Sequence, residues 1–217
     1  MNRRLIVRKT ENHIKPLFIH DTTGHDWYHL DRVRNIALVI AKKTKGADFF
    51  IVELAALLHD LGDYKFNKGQ VKGGIMAQQW LRKIGADSQT IISVANITQN
   101  VSYKGALVRP HIKSIEGKIV WDADKLDALG AIGIARTFAY GGKVGVKIYD
   151  PKQKPVLHKT FKAYKSNNSS TVNHFYEKLL LLKDKMFTQE GKRLAKERHV
   201  FMERYLKQFY KEWGKFK

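Results

Sequence analysis

The sequence predicts an all-α fold, and three observations predict it. Apolar residues recur at helical spacing along most of the chain, glycines stand where the periodic runs would stop, and Asp or Ser stands where several would start. The run from about Asp26 to Thr44 puts Leu30, Val33, Ile36, Ala37, Ile40 and Ala41 on one face, with Gly46 beyond it. Asp48 is the expected cap of the next helix, roughly Phe49 to Leu61, with Gly62 just past its end. A third helix is expected over about Ile75–Ile84, stopping at Gly85, and Asp87 or Ser88 opens a fourth that reaches about Asn100. After the loop SYKGALVRPH, a long segment from about Ser114 to Tyr140 is closed by Gly141 and Gly142. Its middle, ALGAIGIA, is small and apolar, as in a helix packed tightly on its neighbours. Residues 143–168 differ in kind: they are basic, contain Pro151 and Pro155, and keep no helical period. They fit a basic loop or a short hairpin, either a surface excursion or a cover over an active site. Two further helices are expected at Ser170–Met186 and Thr188–Trp213, with Phe175, Leu179, Leu182 and Phe187 lining one face of the first.

The chain of 217 residues is long enough for one moderately large domain with a real core, and 43% hydrophobic with 11% aromatic residues is an ordinary globular composition. No apolar run is long enough to span a bilayer, and MNRRLIVRKTENHIKP shows no signal-peptide pattern, so a soluble cytoplasmic protein is expected. The absence of cysteine excludes a disulfide framework and any thiolate metal site. Forty Lys+Arg against twenty Asp+Glu give a net charge of +20, a field that attracts polyanions or phosphorylated small molecules. The basic residues are spread along the chain, so a solvated lysine-rich surface explains them equally well.

Four polar residues interrupt otherwise apolar segments at or near helix ends: His29 in GHDWYHLDRV, His59 and Asp60 in LLHDLGDYK, and Asp124 in VWDADKLDALGAIGIART. Each alone has a plain reading, a hydrogen-bonded histidine or a capping aspartate. Together, two imidazoles and two carboxylates make a mixed nitrogen and oxygen ligand set suited to one divalent cation, Mn²⁺ or Mg²⁺ favoured, with Co²⁺, Ni²⁺, Fe²⁺ and Zn²⁺ also compatible. Adjacent residues on a regular helix point about 100° apart. His59 and Asp60 can therefore serve one ion only at a helix end, which Gly62 is expected to supply. Buried and uncompensated, Asp60 and Asp124 would each cost several kcal/mol, a problem that a cation removes.

The order H…HD…D resembles the HD-domain superfamily of metal-dependent phosphohydrolases. The segments GHDWxHxxRV, LLHDxxDxK, DADxLDALGAIGIART, HFYEKLL and RHVFMERYL resemble, more narrowly, bacterial HD-domain proteins assigned as nucleotide phosphohydrolases, from about residue 20 to 213. The resemblance implies a single HD domain: a metal-binding helical core over about 20–142, the loop 143–168, and C-terminal helices over about 169–214 packed on the core. It implies one metal held by His29, His59, Asp60 and Asp124. HD enzymes with two metals add further histidines, and between Asp60 and Asp124 this chain offers only His111, beside Pro110. His25 is either an acid/base group near the metal or a cap of GHDW. Lys65 is the candidate phosphate grip, with Asp63 orienting it or a water. Lys104 and Arg136 are further candidate phosphate contacts, and Asp127 orients a ligand or caps its helix; for the cations the plain alternative is a surface salt bridge.

The implied reaction is hydrolysis of an NTP or dNTP to the monophosphate and pyrophosphate by metal-activated water. A nucleoside monophosphatase or a small-nucleotide phosphodiesterase would use the same ligands. A nucleic-acid-binding protein with a structural metal site is the non-enzyme alternative, and an HD-fold di-iron oxygenase lacks its histidines. A nucleotide or other small phosphorylated partner is expected, with no membrane association, in a monomer or homodimer.

Overall fold

The structure, a computed structural model, describes residues 2–62, 72–103, 105–108, 110–160, 162–163 and 168–214. Among them nine α-helices and one 3-10 helix carry the regular structure, with no strand, so the all-α expectation holds. The order is α1 (Arg3–Phe18), α2 (Trp27–Lys42), α3 (Phe49–Leu58), α4 (Gly73–Lys83), α5 (Ser88–Asn100), α6 (Ile115–Asp127) and α7 (Gly130–Val144). Then come α8 (Thr171–Glu177), the 3-10 helix Leu179–Lys185 and α9 (Gln189–Glu212).

The bundle is organised by α3. Its sequence FFIVELAALL is apolar on every side, and such a helix has to be covered all round. Helices α1, α2, α5 and α6 cover it, and Leu54, Ala55, Ala56, Leu57 and Leu58 are fully buried. Helices α2 and α6 also pack on each other, so the start of α2, the end of α3 and the last turns of α6 meet at one place. The α4–α5 pair closes the side of α3, and α9 lies along α6 and α7. Side chains of Asp26, Asp48, Asp87, Ser114 and Thr188 accept first-turn amides of their helices, each worth about 1 kcal/mol.

The structure differs from the sequence expectation at helix ends. Helix α3 stops at Leu58, not Leu61, and Gly62 does not adopt a left-handed conformation. Its glycine is needed for another reason: a Cβ there would lie 2.3 Å from the Gly73 amide nitrogen, where the chain returns to start α4. The Gly62 carbonyl accepts the Lys72 amide at 2.8 Å, which fixes that return beside the HD turn. Gly62→Ala is expected to destabilise the protein by about 1–3 kcal/mol through this backbone collision, read as a lower midpoint in urea unfolding.

The segment 114–140 is two helices, because Leu129 is extended and Gly130 takes φ +72°. Helix α7 runs past Gly141 and Gly142 to end at left-handed Gly145. Gly141 is instead a point of close packing, where a Cβ would sit 2.2 Å from the Thr171 hydroxyl. The expected helix 170–186 breaks at Lys178 into α8 and the 3-10 turn, while Phe175, Leu179 and Leu182 are buried as expected. Of residues 143–168, Lys143 and Val144 close α7, residues 162–163 are helical, and the rest of the described part is an irregular loop pinned to α8, with Gln153 bonded to the Ser170 amide and to Asn173, and Val156 N–H donating to Glu177. Helix α1 was not anticipated; its buried stripe Ile6, Thr10, Ile14 and Phe18 has a threonine in it and a basic outer face.

Candidate metal centre

His29 stands in the first turn of α2, where the Asp26 carboxylate caps its amide at 2.8 Å, and its side chain is fully buried. Its Nδ1 lies 2.7 Å from Oδ2 of Asp127, at the end of α6. Asp127 also accepts Arg32 Nε at 2.7 Å, Arg32 Nη2 at 3.0 Å and Arg136 Nη1 at 2.9 Å. Burial alone would raise the Asp127 carboxyl, but the bond to His29 and then Arg32 and Arg136 hold it well below the usual carboxylate range. An ionised carboxylate only accepts, so the network assigns the hydrogen to His29 Nδ1 and leaves Nε2 bare in the neutral ring.

His59 caps the end of α3 and its Nδ1 lies 2.7 Å from the Ala56 carbonyl. A carbonyl also only accepts, so this ring too carries its hydrogen on Nδ1 and turns a bare Nε2 inward. The two Nε2 atoms are 3.2 Å apart. Asp60 Oδ2 lies 3.4 Å from His29 Nε2, Asp60 Oδ1 lies 3.4 Å from His59 Nε2, and Asp124 Oδ1 is 3.7 Å from both. Asp60 Oδ2 is buried with no hydrogen-bond donor. Burial raises the carboxyl of Asp60, and only charged imidazoles of His59 and then His29 would outweigh it and bring it well below its ordinary value. Asp124 behaves alike: burial pushes it up, and Lys125 followed by the two imidazoles brings it well down.

The Nε2 atoms of His29 and His59 thus face the carboxylates of Asp60 and Asp124 at 3.4–3.7 Å with no hydrogen among them when the rings are neutral, an arrangement that a cation would satisfy. Neighbouring ligands in an octahedron of bonds near 2.1 Å are about 3 Å apart, close to the spacings found here. The donor set fits a divalent cation, and His29, His59 and Asp124 offer ligand atoms all within 4.8 Å of one another. A proton on either Nε2 would compete with a metal for the same lone pair, so metal binding and protonation of these nitrogens exclude one another.

His29, His59, Asp60 and Asp124 lie together here, and the Asp127 carboxylate bonds His29, Arg32 and Arg136. His25 precedes α2, its Nδ1 is 3.1 Å from the Thr23 hydroxyl, and its ring stands 5.6 Å from that of His29. Arg136, expected at a substrate phosphate, is committed otherwise: Nε donates to the Gly24 carbonyl at 2.6 Å and Nη1 to Asp127, with little of the side chain exposed. His111 is exposed in the loop before α6 and takes no part in the cluster. Asp63, Lys65 and Lys104 lie outside the described residues.

Sequence reasoning missed Arg32, Lys125 and the Ala56 carbonyl. Buried Lys125 bonds Asp124 Oδ2 and the Val101 carbonyl, at 3.2 Å, with its ammonium 4.5 Å above the Trp121 ring. It turns one oxygen of Asp124 away from the centre and leaves the other facing it. Arg32 one turn after His29, and Lys125 beside Asp124, were readable signals; a backbone carbonyl has none. Among the described residues no helix is long and apolar enough to cross a membrane.

Residues 26–129, which include His29, His59, Asp60, Asp124 and Asp127, match the family model of the HD domain. The chain is 37% identical to the Bacillus subtilis protein YpgQ over 201 residues, covering 92% of this chain and 89% of that one. It is similar to the crystal structure of an HD-superfamily hydrolase from Bacillus thuringiensis, at 40% identity and a TM-score of 0.74 over 99% of this chain and 100% of that one. It is similar as well to the crystal structure of Bacillus subtilis YpgQ in complex with ADP, at 35% identity and a TM-score of 0.77 over 98% and 97% of the two chains. With the H…HD…D residues gathered at one point of an all-helical bundle, the chain belongs to the HD superfamily of hydrolases.

Proposed function

We propose that His29, His59, Asp60 and Asp124 hold one divalent cation, Mn²⁺ or Mg²⁺ favoured, and that the chain hydrolyses NTPs or dNTPs to the monophosphate and pyrophosphate. The observation that carries this reading is the convergence of four acceptor side chains, two of them bare imidazole nitrogens, on one point without a hydrogen. The ADP bound by the YpgQ relative supports a nucleotide as the ligand. When bound, the cation would polarise a phosphoryl oxygen and make a water more acidic.

The chain's own residues supply the rest. Asp127, held by Arg32 and Arg136, keeps the His29 ring in the orientation that presents Nε2. Lys125 does the same for Asp124. His25, at the edge of the centre, is placed to exchange a proton with a group bound beside His29. Lys65 and Lys104 are assigned to the phosphates and Asp63 to orienting Lys65. Among the described residues, a hydrophobic cluster running from Ile6 to Leu206 supports treating the chain as one domain.

A screen of metal-stripped protein tests the reading, crossing Mn²⁺, Mg²⁺, Co²⁺, Ni²⁺ and Zn²⁺ with NTPs, dNTPs, NMPs and a generic phosphodiester. Release of pyrophosphate from a triphosphate is the expected outcome. Orthophosphate from monophosphates, or cleavage of the diester alone, would replace the proposed reaction with another hydrolysis at the same site. No turnover together with salt-dependent nucleic-acid binding would turn the assignment to a binding protein.

A further inference from the structure

The turn that leads into α2 carries a chain of hydrogen bonds that ends on His25. Asp21 Oδ1 receives three donors: the Thr23 amide at 2.8 Å, the Thr23 hydroxyl at 2.6 Å and the His25 amide at 3.2 Å. An oxygen so occupied only accepts, so the one hydrogen of the Thr23 hydroxyl is committed to Asp21. Toward His25 Nδ1, 3.1 Å away, the same hydroxyl can then only accept. The hydrogen between the two belongs to Nδ1, and in the neutral ring Nε2 is bare. That ring stands edge-on to the ring of His29, with centroids 5.6 Å apart.

The two amide bonds to Asp21 would order this turn without help from a hydroxyl. The hydroxyl does one further thing: it decides which ring nitrogen of His25 carries the hydrogen. With the hydrogen on Nε2 instead, the ring would have no lone pair to offer at the edge opposite Thr23.

We propose that Thr23, backed by Asp21, is a positioning residue for hydrolysis, setting the His25 tautomer whose bare Nε2 takes the proton of the attacking water. The inference rests on the hydrolytic reading above and deepens it. In the step, one O–H bond of the water breaks and its proton bonds Nε2, while the water oxygen bonds the α-phosphorus. The bond from that phosphorus to the bridging oxygen breaks, and its electron pair leaves on pyrophosphate. The ring, now an imidazolium, still donates Nδ1–H to Thr23, and the hydroxyl relays the pull of the Asp21 carboxylate to it.

The test joins nitrogen-15 spectra of the histidine rings in Mg²⁺-loaded protein to steady-state kinetics. The His25 signals are those lost in His25→Gln, and in wild type the neutral ring should carry its hydrogen on Nδ1. Thr23→Val keeps both amide bonds and removes the hydroxyl. It should move the neutral ring toward hydrogen on Nε2 and lower kcat about tenfold to a hundredfold with KM within about twofold, part of what a positioned base supplies. Thr23→Ser, which puts the hydroxyl back, should restore both the tautomer and kcat. Hydrogen on Nε2 in wild type, an unmoved tautomer or kcat in Thr23→Val, or losses that Thr23→Ser does not restore would overturn the assignment. Turnover is followed on whichever phosphate ester wild type cleaves, so the two readings fail separately. Orthophosphate from monophosphates, with the kcat loss and its rescue, would reject pyrophosphate release and keep the role of Thr23. Pyrophosphate release at an unmoved kcat in Thr23→Val would do the reverse, and a protein that cleaves no phosphate ester rejects both.

Discussion

Asp60→Asn is expected to abolish metal-dependent hydrolysis and, at pH 8, to make the metal-free protein more stable than wild type. Asp60 brings a second buried carboxylate to a centre where His29 and His59 already face each other through Nε2 atoms 3.2 Å apart. Its Oδ2 receives no donor. An asparagine amide at the same position removes a buried charge and offers N–H groups to those nitrogens, a gain of about 1–2 kcal/mol. Added Mn²⁺ should then reverse the order, raising the melting temperature of wild type by mass action while leaving the variant unmoved. Thermal melts of the two proteins with and without the ion measure both halves. A variant less stable than wild type without metal would mean that protonated imidazoles, and not a cation, are what the carboxylate serves.

Asp127→Asn is expected to cost about 3–5 kcal/mol, the range for breaking a buried ion pair and leaving its partners behind. The carboxylate is 1% exposed and accepts from His29, Arg32 and Arg136 at once, so an amide would turn hydrogens toward donors. The Arg32 side chain is about a third exposed and water screens part of its loss, which puts the expected value toward the lower end. His29 would also lose what holds its hydrogen on Nδ1, and metal affinity should drop about 10–100-fold. The pH dependence has a definite sign. Asp127 is depressed below the ordinary carboxylate value near 4, so its contribution is complete above that pH and disappears as pH falls below it. Urea unfolding of wild type should therefore show stability lost between about pH 4 and more acid values, with a shallower loss in the variant.

How much of this could be read in the sequence depended on the range over which each residue acts. The apolar stripes are local, and they placed α2, α5 and the buried face of α8 to within a few residues. Helix ends were less legible because tertiary contacts decide them: Gly62 is a glycine for the sake of Gly73, and Gly141 for Thr171. The break at Leu129 and Gly130 lay inside an apolar, glycine-containing run, where a helix-interior glycine and a helix-ending one look alike. The clustering of His29, His59, Asp60 and Asp124, the proposed donor set, was legible because few other arrangements need those residue types at apolar helix ends. Its supports were not all so, since Arg32 and Lys125 look like surface charge until the fold turns them inward. Arg136 shows the reverse limit: its charge was evident, but its direction toward Asp127 and Gly24 comes only from the return of α7 across the end of α6.

The central claim is that four protein side chains and one divalent cation meet at the junction of α2, α3 and α6. A crystal grown with Mn²⁺ and measured at the manganese absorption edge tests it most directly. The expected result is one anomalous peak per chain, bonded to Nε2 of His29 and of His59 and to oxygens of Asp60 and Asp124. An empty centre at millimolar Mn²⁺, or a peak bonded elsewhere, would contradict it.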